Sequence, residues 1–543
     1  MARAPDLDNA GIAARLEAMA SLLDLAEASS FSVRAYRRAA DLIRSTPAPV
    51  AELVRAGRVR ELRGIGPGIE RRLRELVETG RLAELEELER EIEPELVGLG
   101  RFLGLGPKRA VEIARALGIR TAAELREAAE GGRLREAPGV GPTTERKILE
   151  RLRQTAPTAT RGLLLDRAWD LARSIAEPLD AEVAGDPRRW RDVVHELAVV
   201  RAADDPAPLI EAFSALPAVV AVVERADRRA LGVTVEGVPI ELRVPPPERF
   251  GTELARATGS AAYVQALEPL PDAADEHELY AQLGVEWCPP ELREQPFTGA
   301  PPPLVELADV RGDLHCHTTW SDGRASVEEM AIAALRRGYE YVAICDHTPN
   351  VSVVPGLDAD ALRRQGDEIA AANERLAPFR VLRGIECDIR ADGSLDLPDN
   401  ALAELDWVQL SLHAGQRGRR DELTRKVVEA MRHPAVRCLS HPRGRIVNHR
   451  PPNALDLERV IEVALKTGVA LEVNGLSPRL DLNGDEVRLA VEAGVAVVCS
   501  TDAHSVRGLD NMQLSIATAR RGWATAADVV NTRPLAEILR PRR

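Results

Sequence analysis

The chain has 543 residues, which exceeds a single ordinary domain and predicts about three or four domains. Apolar residues make up 45% of the sequence, so the composition supplies enough core for globular domains and excludes a mainly disordered protein. The formal net charge of −13 excludes a uniformly basic nucleic-acid-binding protein but is compatible with local basic patches.

The cysteines and the hydropathy pattern predict where the protein works. No Cys-x-x-Cys pairing occurs, so we expect reduced core thiols instead of a disulfide framework or a zinc knuckle. The chain opens without the apolar core of a signal peptide, and no run approaches the roughly 18 apolar residues that span a bilayer. We therefore expect a cytoplasmic protein without membrane contact. The sequence leaves the oligomeric state open, and a monomer is the default expectation. The cysteines are Cys288, Cys316, Cys345, Cys387, Cys438 and Cys499.

Apolar residues recur at helical spacing from about Asn9 to Arg153, which predicts a succession of short amphipathic helices. Within this region, three segments share a Gly-x-Gly-Pro pattern followed by a predicted helix. The glycines permit positive φ and bring backbone N–H groups to a helix N-terminus, where a phosphate oxygen fits. The three segments are Leu62–Ile69, Leu103–Ala110 and Ala137–Thr144.

These repeats resemble the helix-hairpin-helix motif, which grips the DNA backbone without reading its sequence; a plain tight turn between helices is the alternative interpretation. From Phe31 to Glu78 the chain has eleven arginines against six acidic residues, a local basic patch of the kind that contacts phosphates. We predict sequence-nonspecific binding to the phosphate backbone and 3′ ends of DNA. The candidate DNA-binding residues are Gly64, Gly66, Gly68, Gly104, Gly106, Lys108, Gly139 and Gly141.

Two segments make the resemblance more specific. Asn9–Ala40, which includes the stretch Phe31–Ala40 and is followed by the hairpin motifs, is similar to the small N-terminal domain and fingers of family X DNA polymerases. Glu278–Arg293 is similar to the end of the thumb in the bacterial branch, PolX, whose members carry a C-terminal PHP domain. The resemblance covers nearly the whole chain and implies five domains. They are a helical helix-hairpin-helix domain (1–90), a fingers-like helix-hairpin-helix domain (91–158), a palm (159–245), a thumb-like region (246–300) and a PHP metallohydrolase domain (308–543).

The palm-like stretch departs from the family pattern at the positions where family X binds two metals. Gly185 is kept, but the serine after it is Asp186 here, and the paired aspartates fall on Glu196 and Ala198. The third aspartate falls on Glu241. Alanine supplies no ligand oxygen, and the longer glutamates displace their carboxylates in a site that tolerates roughly 0.5 Å, so Mg²⁺ is not expected in this palm.

Other family residues are replaced as well. The Lys-x-His that follows Gly-Ser in the family appears as Ala261 and Tyr263, and the lysine with which family X lyases form a Schiff base aligns with Arg72. Arginine stays protonated and cannot act as that amine nucleophile. We predict that polymerase and lyase activities are lost or very weak.

From about Val310 to Arg543, strand-like apolar runs alternate with helical runs, which predicts seven βα units in a barrel of parallel strands. The first predicted helix opens with a capping box, Ser326 with Glu329, and stops at Gly338. The predicted fold class is therefore multidomain. It combines an all-α helix-hairpin-helix region, an α/β nucleotidyltransferase-like palm and thumb, and a distorted (β/α)7 barrel.

Polar residues cluster at the predicted C-terminal ends of the barrel strands, the end where barrel active sites lie. Alternation along the first strand predicts His315 and His317 on one face and Leu314 and Cys316 on the other. Six of the ten histidines in the chain occupy strand ends of this kind, which favours a metal site over buried core histidines.

These motifs resemble the PHP (polymerase and histidinol phosphatase) family, and the resemblance implies a trinuclear metal site with Glu386 bridging two metals. One metal would be held by His315, His317 and Asp502, a second by His413 and His441, and a third by Asp322, His347 and His504. All nine implied ligands are present in the sequence.

The ligand types predict the chemistry. Imidazole and carboxylate groups suit Mn²⁺ or Zn²⁺, and the sequence does not separate the two. Neighbouring divalent metals polarise a phosphodiester and stabilise its leaving oxygen. Arg445 and Arg479 are candidate phosphate clamps, with surface salt bridges as the alternative. Asp346 adjoins His347 and is a candidate for orienting it.

Three functions follow from these patterns. The first is a DNA 3′-5′ exonuclease or repair phosphodiesterase of the PolX type, with a degenerate polymerase site. The second is an active gap-filling polymerase with a PHP exonuclease, and Ala198 argues against it. The third is a PHP small-molecule phosphatase, which the hairpin motifs disfavour. The complete ligand set weighs against a non-catalytic DNA-binding scaffold.

Overall fold

The structure is a computed structural model of the chain. It describes residues 9–25, 29–45, 49–62, 64–91, 107–119, 124, 127–129, 131–153, 162–297, 299–351, 354–413 and 415–540. The chain forms two compact units. The first comprises Met1–Gly162, Leu171–Glu182 and His195–Pro247, and the second comprises Leu163–Asp170, Val183–Val194 and Glu248–Arg543. Among the described residues, no helix is long and apolar enough to cross a membrane.

The N-terminal region is helical, as its apolar spacing predicts. Each helix buries one apolar face, and Leu16, Leu73 and Leu76 are fully enclosed. Single 3-10 turns lie at Val59–Glu61 and Leu134–Glu136. The described helices are α1 (Asn9–Leu25), α2 (Ser30–Ser45), α3 (Val50–Arg55), α4 (Pro67–Thr79), α5 (Ala83–Glu91), α6 (Pro107–Leu117) and α7 (Pro142–Arg153).

The Gly-x-Gly-Pro segments adopt turns that require glycine. Gly64 has φ of 114° and Gly139 has φ of 71°, a region that residues with a Cβ rarely adopt. Pro67 and Pro142 are the first residues of α4 and α7, where a missing N–H leaves no bond unmade. The glycines of the middle segment, Gly104 and Gly106, lie outside the described residues, and so does the side chain of Lys108.

The segment 162–297 mixes strands and helices. In the first unit, four strands lie side by side in the order β4, β7, β6 and β5, with β4 parallel to β7 and the other neighbours antiparallel. The strands of the segment are β1 (Leu163–Leu164), β2 (Glu182–Ala184), β3 (Val193–Val194), β4 (Leu197–Val200), β5 (Val219–Ala226), β6 (Arg229–Thr234) and β7 (Pro239–Arg243). Its helices are α8 (Leu165–Ala176), α9 (Gly185–Arg188), α10 (Ala207–Ser214), α11 (Phe250–Thr258), α12 (Ala261–Leu267) and α13 (Glu276–Leu283).

The C-terminal part of the second unit is a barrel of seven parallel strands that neighbour one another in sequence order, which confirms the predicted fold. A bridge between Cys316 and Ala503 brings the first and last strands together and nearly closes the barrel. The strands are β8 (Gly312–Cys316), β9 (Tyr341–Ile344), β10 (Arg380–Asp388), β11 (Trp407–Ser411), β12 (Val436–Leu439), β13 (Ala470–Asn474) and β14 (Val497–Ser500). The helices are α14 (Val327–Arg336), α15 (Ala359–Leu376), α16 (Asp399–Leu402), α17 (Arg420–Ala430), α18 (Leu457–Thr467), α19 (Gly484–Glu492), α20 (Met512–Arg521) and α21 (Leu535–Ile538).

Side chains fill the barrel interior in layers. At the N-terminal ends of the strands an apolar layer is closed off by Ile538 of α21. It consists of Leu314, Tyr341, Ala343, Cys345, Leu382, Trp407, Cys438, Ala470 and Val498. Residues one alternation further along the strands, Gln409, Ser440, Glu472 and Ser500, are buried and polar. The strands therefore lead from an apolar floor to a polar end.

Strand β8 departs from the predicted alternation. Leu314 packs in the apolar floor, whereas Cys316 packs with the helices outside, so the two do not share a face. The pairing of β8 with β9 shifts between Asp313 and Cys316. Such a bulge inserts one residue into the alternation and turns both Leu314 and His315 inward. The capping box of Ser326 and Glu329 forms at the start of α14 as predicted.

Candidate metal centre

The polar end of the barrel gathers the predicted ligands because parallel strands end on one face. His315 lies in β8 and Glu386 lies in β10, and the other ligands follow the C-terminal ends of strands within a few residues. Most of the nine side chains are buried. The ligands that follow strands are His317, Asp322, His347, His413, His441, Asp502 and His504.

His315, His317 and Asp502 form the first group. The Nε2 atoms of the two histidines lie 3.1 Å apart, and Asp502 Oδ1 lies 3.1 Å from His317 Nε2 and 3.8 Å from His315 Nε2. Ligands at roughly 2.0–2.1 Å from a tetrahedral ion are roughly 3.3 Å from one another. The three atoms thus have the mutual separations of ligands around a single cation.

A second group joins His317, Asp322, His347 and His504, whose ligand atoms all lie within 4.8 Å of one another. Asp322 Oδ2 is 3.1 Å from His504 Nε2 and 3.5 Å from His347 Nε2. The Nδ1 atom of His317 is buried and has no hydrogen-bond partner in the described part of the chain. A neutral imidazole has a single lone pair, so His317 would ligate a cation of this group through Nδ1 or one of the first group through Nε2, but not both.

Glu386 stands between two sets of histidines. Its Oε1 lies 2.8 Å from His441 Nε2 and 3.7 Å from His413 Nε2, while its Oε2 lies 2.9 Å from His347 Nδ1. His413 also groups with Glu386 and His347 within 4.8 Å. The two carboxylate oxygens face different histidines, which is the arrangement that a bridging ligand requires.

The protonation states of Glu386 and His317 suit cation binding, whereas His347 would have to release a proton to a metal. Burial raises the pKa of Glu386, but the charges of His413 and His347 outweigh it and hold that pKa well below its usual value. Burial lowers the pKa of His347, yet Glu386 and Asp322 raise it to about 10. Burial, followed by the charges of His504 and His347, lowers the pKa of His317 to about 3. An ionised Glu386 and a neutral His317 are in the forms that ligate metals.

Sequence reasoning missed Glu472 of β13, although it is fully buried behind the ligands. His315 Nδ1 donates to its Oε1 at 2.6 Å, and the backbone N–H of His441 donates to its Oε2 at 2.6 Å. A proton on Nδ1 leaves Nε2 of His315 free to ligate. The signal was present in the sequence, since an acid between Leu471 and Val473 of an apolar strand faces the barrel interior.

Asp346 takes a different role from the one predicted. Its carboxylate accepts from the Thr318 N–H and Oγ1 at 2.8 and 2.6 Å, from Ser321 Oγ at 2.5 Å and from Gln365 Nε2 at 2.7 Å, and not from His347. The Asp346 side chain, which follows β9, turns toward the loop after β8, because Thr318 and Ser321 in that loop donate hydrogen bonds to it. Asp346 therefore fixes the loop that carries Asp322.

The two candidate phosphate clamps differ. Arg445 is buried, pairs with Asp192 at 2.7 Å and donates to the carbonyls of Arg479 and Leu480. Arg479 places Nε 3.4 Å from Asp502 Oδ2, and its Nη1 is buried without an acceptor among the described residues. Arg445 thus ties loops together, and Arg479 keeps a donor available beside the ligands.

The palm positions hold no cluster of carboxylates in the described first unit. Glu241 pairs with Arg243 at 2.9 Å and with Arg229 at 3.3 Å. Its neighbour across β4 and β7 is Ala198, as the sequence implies, and Glu196 precedes β4. Two arginines therefore neutralise the charge that a metal would otherwise balance.

The other palm and lyase positions are likewise engaged by protein atoms. In the second unit, Asp186 is buried and pairs with Arg189, and Gly185 has φ of 72°. Tyr263 is buried with its hydroxyl 2.9 Å from that of Tyr280, and Ala261 begins α12. In the first unit, Arg72 pairs with Glu75 and Glu84.

The hairpin residues are accessible where they are described. An added Cβ at Gly66, Gly68 or Gly141 would meet no atom within 4 Å, so their backbone is open to a ligand. Gly64 and Gly139 supply the positive φ that turns the chain into the next helix.

Family models match three parts of the chain. They describe a helix-hairpin-helix domain over residues 7–82, a SAM-like helix-hairpin-helix tandem over residues 98–154 and a PHP domain over residues 313–474. Together with the barrel and its ligand cluster, they define a PHP-domain protein that carries helix-hairpin-helix modules.

The "DNA polymerase/3'-5' exonuclease PolX" of Bacillus subtilis is 33% identical over 96% of this chain and 97% of its own length. The chain belongs to the bacterial PolX family. Its barrel is also similar to stand-alone proteins named "Probable phosphatase". The one from Acetivibrio thermocellus is 30% identical over 35% of this chain and 78% of its own length, and the one from Syntrophotalea carbinolica is 32% identical over 30% and 65%.

Proposed function

We propose that this protein is a metal-dependent DNA 3′-5′ exonuclease of DNA repair, whose active centre is the barrel cluster and whose polymerase activity is lost or very weak. The observation that carries the proposal is Glu386, whose two oxygens face separate sets of histidines within a complete set of nine ligands. Such a set holds several divalent cations, and we propose three, either Mn²⁺ or Zn²⁺.

The chain's own residues prepare the site for a phosphodiester. The nine ligands would hold divalent metals, which would supply the Lewis acidity that polarises the ester and activates water. Glu472 holds His315 in the tautomer that presents Nε2. Arg479 offers its buried Nη1 to a non-bridging phosphate oxygen, a charge-assisted bond that also orients the substrate.

The palm positions, in contrast to the barrel cluster, are not arranged to bind a metal. Two arginines pair with Glu241, and Ala198 beside it supplies no oxygen. Bringing Mg²⁺ there would require breaking both ion pairs, and Ala198 would supply no oxygen in return. The proposal therefore assigns no nucleotidyl transfer to this centre and no lyase activity to Arg72.

The remaining domains serve DNA binding in this proposal. The helix-hairpin-helix domains (1–90 and 91–158) hold the phosphate backbone through open glycine turns, independent of base sequence. The palm-like and thumb-like regions (159–245 and 246–300) act as scaffold. The PHP domain (308–543) hydrolyses the 3′ end.

Small-molecule phosphatase activity is the second candidate, because the barrel alone is similar to the stand-alone probable phosphatases. A gap-filling polymerase with a PHP exonuclease is the third, because the Bacillus subtilis relative is named for both activities. An assay with a labelled DNA strand, p-nitrophenyl phosphate and added dNTPs distinguishes these two functions from the exonuclease.

The test uses a 5′-labelled DNA strand with Mn²⁺ or Zn²⁺, and p-nitrophenyl phosphate in parallel. We expect a ladder that shortens from the 3′ end and disappears in the His315→Ala, His317→Ala protein. His433→Ala is the matched control, because His433 precedes β12 at the opposite end of the barrel. Intact DNA with turnover of the monoester would favour the phosphatase, and primer growth with dNTPs would favour the polymerase.

A further inference from the structure

Three arginines lie beyond the C-terminal ends of adjacent barrel strands, at the end that carries the ligand cluster. Arg417 follows β11, Arg450 follows β12 and Arg479 follows β13. We call these three residues the arginine rim. All of them belong to the second unit.

Backbone hydrogen bonds hold two members of the rim together. Ile446 and Arg450 exchange backbone hydrogen bonds, and the turn between them is tied to the Arg479 turn by the Val447 N–H, which donates to the Pro478 carbonyl at 2.7 Å. Arg450 Nε donates to the Gly444 carbonyl at 2.8 Å. Its guanidinium is therefore held in place by the same turns that carry His441 and Arg479.

Arg479 lies beside the Asp502 carboxylate, whereas the other two rim arginines lack such a partner among the described residues. Neither Arg417 nor Arg450 has a carboxylate within 4.0 Å in the described part of the chain, and the terminal nitrogens of Arg450 have no acceptor there. Burial, followed by the charge of Arg479, lowers the pKa of Arg450, and Arg417 contributes in the same direction against an opposing effect of Asp481. Three neighbouring arginines, two of them without a described ion-pair partner, indicate a site for an anion.

Neighbouring arginines of the barrel behave differently. Arg420 pairs with Asp456 at 2.9 Å, and Arg443 pairs with Glu486 at 2.9 Å. Carboxylates are thus available in the same loops, yet none of those described pairs with Arg417 or Arg450. A single phosphate ester would need only Arg479 beside the ligand cluster, so two further cations fit a substrate with more than one phosphate.

We propose that Arg417 and Arg450 bind the phosphate next to the scissile one in a polynucleotide strand, while Arg479 contacts the scissile phosphate itself. This inference rests on the proposed exonuclease function. It makes the rim the feature that selects a strand over a phosphomonoester, because only a strand carries one charge per nucleotide. Arginine suits the task since its fork binds phosphate oxygens in pairs.

The test compares a 5′-labelled single strand with bis(p-nitrophenyl) phosphate, a single diester, using the full-length protein with Mn²⁺. We expect Arg417→Ala and Arg450→Ala each to lower kcat/KM on the strand about fivefold to tenfold through KM, and to affect the single diester several times less. We also expect the salt dependence of kcat/KM on the strand to become shallower by about 0.7 per arginine removed.

Two variants control for loop refolding and for a general loss of positive charge. Arg417→Ala removes an exposed side chain that has no hydrogen bond or ion pair in the described structure, so its effect does not depend on refolding the loop. Arg432→Ala removes the same charge from the opposite end of the barrel, where Arg432 pairs with Glu429, and should leave both substrates unaffected.

The outcomes separate the two proposals. Equal losses on both substrates, or none on the strand, would overturn the role of the rim while the exonuclease stands. A wild-type protein that hydrolyses the single diester but leaves the strand intact would overturn the exonuclease function and the rim with it.

Discussion

Glu472 illustrates how much of the site depends on groups that touch no substrate. It joins two ligand positions, the ring of His315 and the backbone of His441, and Ser500 Oγ donates to it at 2.5 Å. A carboxylate behind a ligating imidazole fixes the ring and raises its basicity.

Glu472→Gln should weaken metal binding about 10- to 100-fold, because the amide removes the charge that holds the Nδ1 proton of His315. The measurement is a metal titration against a competing chelator, which does not depend on turnover. Glu462→Gln, on the exposed side of α18, is the control. Unchanged metal affinity in the Glu472 variant would show that His315 is oriented by packing alone.

The helix-hairpin-helix turns concern DNA binding, and the two described ones each set the start of a helix by a glycine with positive φ. An alanine in that region costs about 1–2 kcal/mol of backbone strain and shifts the N–H groups that face a phosphate. The two such glycines that are described are Gly64 and Gly139.

The Gly64→Ala, Gly139→Ala protein should bind DNA at least tenfold more weakly, as measured by fluorescence anisotropy in EDTA so that no cleavage occurs. Gly118→Ala is the matched control, since Gly118 has φ of 68° and ends α6 outside the Gly-x-Gly-Pro segments. If both proteins lost affinity equally, the loss would reflect general destabilisation of the helices.

A buried charge network stabilises the second unit outside the barrel. Glu276 at the start of α13 accepts from Arg188 at 2.8 and 2.9 Å and from Arg293 at 2.5 and 3.2 Å, and Arg293 is fully buried. Burial raises the pKa of Glu276, but the hydrogen bonds from Arg188 and Arg293 outweigh it and lower the pKa to about 2.

A lowered pKa gives stability that is present above the unfolded value, 4.5, and is lost as the pH falls toward about 2. This shift corresponds to roughly 3 kcal/mol. Glu276→Gln should therefore lower the free energy of unfolding in urea near pH 6, and the difference from wild type should shrink below pH 4.5. Glu286→Gln, an exposed neighbour, should show no such trend. A difference that stays constant down to pH 3 would contradict the assignment.

At the scale of the whole molecule, the sequence predicted those site residues that lie at the C-terminal ends of the barrel strands. Parallel strands end on one face, so His315, Glu386 and Asp502 could be brought together from positions far apart in the chain. The helices and the seven-stranded barrel followed from periodicity in the same way.

What the sequence could not supply depends on pairings between distant segments. The bulge that turns Leu314 inward arises from the register of β8 against β9, which no local alternation reveals. Arg445 pairs with Asp192, and Asp346 accepts from Thr318. Both pairings likewise depend on which loops meet in three dimensions. The inward position of Glu472 could have been predicted from the alternation of side chains along β13, since its neighbours in that strand are apolar.

We propose that the barrel holds the catalytic centre of the described part of the chain and that the palm has little or no activity. The most direct test measures the length of a labelled primer on a template with all four dNTPs, Mn²⁺ and the His315→Ala, His317→Ala protein. The wild type should shorten the primer, and the variant should leave its length unchanged. A primer that grows in the presence of the variant, and stops growing when Glu241 is also replaced, would contradict the claim.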